Sequence, residues 1–124
     1  MDMPRLLSAS TIMSDRVVNS RGEELGKLEE LMIDLDNGCI GYAVLSFGGV
    51  LGVGDKLFAI PWDAMRLDTD RKVLILDIDR ERLEEAPGFD KDHWPQTVNR
   101  EWMLEVYRFY GSQPYWQERE RARH

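Results

Sequence analysis

From Leu25 to Asp36 the apolar residues Leu31, Ile33 and Leu35 alternate with Glu30, Asp34 and Asp36, the two-residue period of a strand with one face in water. Met32 falls out of step without ending the run. The following Asp36-Asn37-Gly38 tolerates positive φ, and Cys39 to Phe47 then reads CIGYAVLSF, so the segment predicts a β-hairpin. Gly48, Gly49, Gly52 and Gly54 come next, ahead of the short run KLFAIPW. Glycines beside strands predict bulges and tight bends, so these four are assigned the shaping of a curved or closed sheet. A turn at Asp68-Thr69-Asp70 separates two more strands, Met65–Asp68 and Lys72–Asp77.

After Asp79, placed to cap a first turn, RERLEEA reads as a short helix stopped by Pro87 and Gly88. A second helix is predicted between an Asn99 cap and a Gly111 stop, with Trp102, Val106, Phe109 and Tyr110 forming one apolar stripe. Something must cover that stripe. Of the 12 aromatic residues, 8 fall after residue 86, so composition divides the chain into a β-domain over 1–86 and an aromatic, helical extension over 87–124. The closing QERERARH is charged and expected to fray.

Charge follows the same division. Residues 1–86 carry 17 acidic and 10 basic side chains, and residues 87–124 carry 6 of each, giving -7 overall. Nucleic acid is a poor partner for such a surface, because non-specific affinity comes from Lys and Arg displacing condensed counterions. At 124 residues, with 43% hydrophobic and 31% charged residues, one core is expected, without a staple. Cys39 is the only cysteine, which excludes an intrachain disulfide and a CxxC motif and suits a reducing compartment. It reads as a small apolar residue after a turn. No secretory signal or bilayer-length apolar run is present, so a cytoplasmic location without membrane insertion is expected.

Candidate chemistry is thin. Gly49 to Lys56 superficially suggests a phosphate loop, but Asp55 intervenes, no Ser or Thr follows the lysine, and LFAIPW continues as a strand. The carboxylate pairs Asp34/Asp36, Asp68/Asp70, Asp77/Asp79 and Asp90/Asp92 could attract a hard cation, yet each lies at a turn or strand end, where Asp bonds backbone amides. His93 has no nucleophilic partner, His124 lies at the terminus, and Ser46 and Ser112 lack an elbow signature. No catalytic residue, metal ligand or cofactor is assigned.

Four stretches, GEELGKLEELMID (22–34), GCIGYAVLSFGG (38–49), GVGDKLFAIPW (52–62) and KVLILDIDRERLEEAPGF (72–89), resemble the PRC-barrel domain. That domain is shared by the cytoplasmic part of the photosynthetic reaction-centre H subunit and by RimM-type ribosome-maturation factors, and the tail patterns FDKDHWP and YGSQPYW look closest to stand-alone bacterial members. The resemblance implies a small, strongly bent, largely antiparallel β-barrel used as an assembly or docking module. The expected function is a non-enzymatic, self-associating adaptor, most simply a homodimer, with an unidentified protein partner. Phe89, Trp94, Trp102, Phe109, Tyr115 and Trp116 are the docking residues, either against a second copy or partner or, alternatively, packed on their own barrel. A ribosome- or RNA-associated factor and a small-ligand or metal-binding protein using the acidic turns stand as alternatives.

Overall fold

CIGYAVLSF has no polar alternation, the pattern of a strand covered on both faces rather than one. In the computed structural model, which describes residues 5–13, 15–47, 56–90 and 100–117, this strand sits near the centre of the sheet. In chain order the strands are β1 (Arg16–Val18), β2 (Glu24–Asp34), β3 (Cys39–Phe47), β4 (Lys56–Ile60), β5 (Met65–Asp68), β6 (Val73–Leu76) and β7 (Gly88–Asp90), with helices α1 (Ala9–Met13), α2 (Arg80–Glu84) and α3 (Arg100–Phe109). The sheet has seven strands in the order β5-β6-β1-β2-β3-β4-β7. The fold is therefore mainly β with a helical C-terminal part. Gly48, Gly49, Gly52, Gly54, Trp94 and Asn99 lie outside the described residues.

The sheet is largely antiparallel, as expected, and two details add to that expectation. Every pairing is antiparallel except β1 with β6, which is parallel. Nor is the sheet closed by hydrogen bonds among the described residues: β5 and β7 are its two ends. Side chains do the closing instead. Val17, Leu28, Ala43, Leu45, Phe58, Ile60, Met65, Leu74 and Leu76, from six strands, point into one cluster completed by Ile12 of α1 and Leu83 of α2. Each large aliphatic or aromatic side chain buried there contributes roughly 1.5–3 kcal/mol. The opposite face of β3 and β4 presents Tyr42, Val44, Leu57 and Ala59, and Val106 and Tyr107 of α3 cover it.

The predicted hairpin forms, with two irregularities. Asp34 Oδ1 accepts the backbone N–H of Asp36 and of Asn37, and Gly38 closes the turn at φ 66°. Register shifts fall between Leu28 and Glu30 and between Met32 and Ile33. In the second, Met32 pairs with Tyr42 and Ile33 with Ile40, which leaves Gly41 as an extra residue. The expected common face of Leu31, Ile33 and Leu35 is buried only at its start. Leu31 packs on the inner cluster and Met32 on the outer one, while Ile33 is 56% and Leu35 89% exposed. The hairpin also outruns its neighbours, since β1 pairs β2 only over Glu24–Lys27 and β4 pairs β3 only over Ala43–Phe47.

Asp79 occupies the N-cap of α2 without a side-chain capping bond. Its carboxylate accepts from Arg21 Nη2 at 2.7 Å instead, a charge-assisted bond that competes well with a neutral amide donor. The turn carboxylates act as turn carboxylates: Asp68 Oδ1 accepts the N–H of Asp70 and Arg71, and Asp77 accepts the Ser20 hydroxyl.

Gly26 and Gly38 separate two reasons for glycine. At Gly26, φ is 154° and a Cβ would collide with the Ser46 carbonyl oxygen of β3, whereas at Gly38 a Cβ meets nothing. Gly26→Ala should destabilise by about 3 kcal/mol or more. Gly38→Ala should cost only about 1–2 kcal/mol, the left-handed penalty alone. Urea unfolding midpoints read both, and equal losses would rule out crowding at Gly26.

Candidate interaction site

The C-terminal segment reaches the sheet by a helix, a glycine stop and a short return. Gly111 takes φ 69°, and the N–H groups of Gly111 and Ser112 bond the carbonyls of Arg108 and Tyr107, a Schellman closure. Residues 115–117 then form one helical turn, which lays Tyr115 and Trp116 against Tyr107. Ring centroids of Trp116 lie 5.1 Å from both Tyr107 and Tyr115, in the edge-to-face arrangement that the ring quadrupole favours.

Two tyrosine hydroxyls fasten this segment to the β2–β3 hairpin. Tyr107 Oη donates to the carbonyl of Gly41 at 2.6 Å, so the extra residue of the bulge finds its acceptor's partner outside the sheet. Tyr115 Oη donates to Asp34 Oδ2 at 2.5 Å. Asp34 also accepts from Asn37 Nδ2 and from the Asp36 and Asn37 amides. Foremost through the Tyr115 bond, and against a burial effect of opposite sign, these donors lower its pKa from 3.8 to about 2. Burial, reinforced by the Asp34 bond and charge, raises Tyr115 well above the ordinary phenol range. Tyr107 is raised by burial first and by the charge of Asp63 next. At neutral pH this centre therefore holds an ionised carboxylate and protonated phenols. That protonation pattern fixes shape.

Each expected docking residue can now be placed. Phe89 lies on β7 opposite Leu57, half-buried against the outer cluster, on which Trp102, Tyr115 and Trp116 also pack. The Trp102 ring meets Tyr42 edge-on at 5.4 Å. Phe109 turns the other way, to the inner cluster, with the Arg82 guanidinium 4.2 Å above its ring. Trp94 lies outside the described residues. Tyr107, buried to 2% exposure, was absent from the expected stripe. Met103, Tyr107 and Tyr110 form a second row at spacings of four and three, and that row was the available signal.

A cleft of about 180 Å³ opens beside the fastening point, lined by Cys39, Ile40, Trp62, Asp63, Tyr107 and Tyr115. Among the described residues no three His, Cys, Asp or Glu side chains gather as a metal site, and no helix is long and apolar enough to cross a membrane. Two donors, Tyr110 Oη and Trp116 Nε1, are buried without a hydrogen-bond partner.

These features define a class: a small β domain whose curled sheet is backed on its outer face by an aromatic helical segment. The PRC-barrel domain model matches residues 4–83, about two-thirds of the chain, and the chain belongs to that family. No curated protein matches the sequence.

Asp34 gives a pH prediction. Its folded pKa lies below its ordinary 3.8, so it stabilises the fold fully above that value and loses the contribution as pH falls from 3.8 through about 2. Tyr115→Phe removes the largest cause. A carboxyl-carbon NMR titration should then show Asp34 moving up toward 3.8, with acid unfolding beginning at higher pH. Tyr107→Phe should leave that midpoint in place yet cost about 1–2 kcal/mol, because the Gly41 carbonyl loses its donor. An unmoved Asp34 in Tyr115→Phe would contradict the assignment.

Proposed function

We propose that this PRC-barrel protein is a non-enzymatic, cytoplasmic interaction module that self-associates as a homodimer and holds a further protein partner. The observation that carries the reading is the unclosed sheet. β7 pairs with β4 along one side, and no strand of the described residues pairs along the other. Small β domains protect such edges, and two-fold symmetric pairing does so most simply because the same edge serves both copies.

Position supports the aromatic residues in this role. Phe89 lies on the end strand, and Phe89, Trp102, Tyr115 and Trp116 are half-buried around one cluster, where a second copy would complete their burial. Aromatic side chains at the centre of such a surface supply large area with few rotatable bonds. Phe109, facing the inner cluster, contributes through α3 rather than by direct contact. The chemistry of the cleft beside Tyr107 and Tyr115 also favours docking over catalysis, since its carboxylate neighbour Asp34 is held ionised by donors from its own chain.

Light scattering tests the claim: at tens of micromolar the particle should have twice the 14.4 kDa of one chain. Phe89→Lys should raise the dimer dissociation constant about tenfold or more. A strict monomer at that concentration removes self-association.

A further inference from the structure

The hairpin end carries surface that the dimer edge does not use. Ile33 and Leu35 stand 56% and 89% exposed. Cross-strand pairing sets Ile33 beside Ile40 on one face, and Ile40 lines the 180 Å³ cleft with Trp62, Tyr107 and Tyr115. An apolar strip thus runs from the tip of the ribbon into a cleft with aromatic walls. The charge that the hairpin itself contributes has one sign. Between Lys27 and Lys56 the sequence contains no Lys or Arg, while Glu29, Glu30, Asp34 and Asp36 fall within eight residues, and Asp63 stands at the cleft. Glu29, Glu30, Asp36 and Asp63 enter no ion pair among the described residues.

We infer that this hairpin end docks a cationic, amphipathic segment of another protein. The inference rests on the interaction-module reading and names the kind of partner. Apolar side chains of the segment lie on Ile33 and Leu35 and enter the cleft, and its Lys and Arg side chains face Glu30, Asp36 and Asp63. The ring faces of Trp62 and the tyrosines add attraction for a cation. Charge complementarity selects this occupant. A second copy brings the same four carboxylates, within a chain of net charge -7, so facing hairpin ends repel. A phosphate backbone or an anionic membrane surface meets the same field.

The full chain is titrated with a synthetic peptide carrying apolar side chains at i, i+3, i+4 and i+7 and Lys or Arg elsewhere, followed by amide NMR. Micromolar binding is expected, weakening with salt, with shifts at Glu29–Ile40 and Trp62–Ala64. Ile33→Ser with Leu35→Ser, and separately Glu30→Gln with Asp36→Asn, should each raise the dissociation constant about tenfold or more. These four side chains are exposed, so unfolding midpoints should stay in place. A scrambled peptide of the same composition should bind at least about tenfold more weakly, and an acidic peptide or anionic phospholipid vesicles should give no shift.

Binding that survives both variant pairs, or that maps to α3 or β7, overturns the inference while leaving a docking module in place. Equal binding of the acidic peptide, capture by the vesicles, or no binding of the cationic peptide also overturns it. Hairpin binding by a chain that scatters as a monomer supports the inference and removes only self-association.

Discussion

The constraint on which the structure depends is that β3 and β4 are apolar on both faces. Ala43, Leu45 and Phe58 point one way while Tyr42, Val44 and Leu57 point the other, and all are nearly inaccessible. A seven-stranded sheet can cover one face by curling on itself. The second face needs another layer, because leaving those side chains in water forfeits roughly 25 cal/mol for each Å² of apolar surface. Val106 and Tyr107 supply that layer. α3 is thus part of the fold's energetics even though the family match ends at residue 83.

Placement of the covering layer follows from a defect in the strand beneath it. The bulge at Gly41 leaves a residue without a β2 partner, and a buried carbonyl without a donor is costly. Tyr107, 66 residues away in sequence, provides the donor, and Tyr115, 81 residues away, binds the turn carboxylate of the same hairpin. The polar fit is incomplete elsewhere, for Tyr110 Oη and Trp116 Nε1 are buried without acceptors. Ring packing therefore brings the segment to the sheet, and the two hydroxyl bonds fix its position along the hairpin.

Much of this could be read from the sequence where the signal is local. The Asp36-Asn37-Gly38 turn, the CIGYAVLSF strand, the Gly111 helix stop and the family resemblance all survive in the structure. What escaped reading is non-local. β1 has only three residues, and its parallel partner β6 lies far along the chain, so no window of alternation reveals it. Ile33 is exposed because the hairpin runs past the residues that β1 and β4 pair, an end point that alternation within β2 does not reveal. Pro87-Gly88 correctly ended a helix, yet Gly88–Asp90 then pairs with β4, because an end strand needs little propensity of its own. Phe109 and Val106 shared one predicted stripe, but α3 lies across the junction of two clusters and divides them.

The length of the hairpin accounts for the unusual surface of its end. Past the residues that β1 and β4 pair, the two-stranded ribbon carries exposed apolar groups, the arrangement most open to unwanted pairing with other chains. Four carboxylates without an intervening cation counter that hazard, since two such ends brought together repel at short range. Coulomb repulsion has a sign, however, and what it denies to a like surface it offers to an opposite one. Protection against self-pairing and the inferred docking of a cationic segment would thus rest on one property of this ribbon, seen from two approaching surfaces.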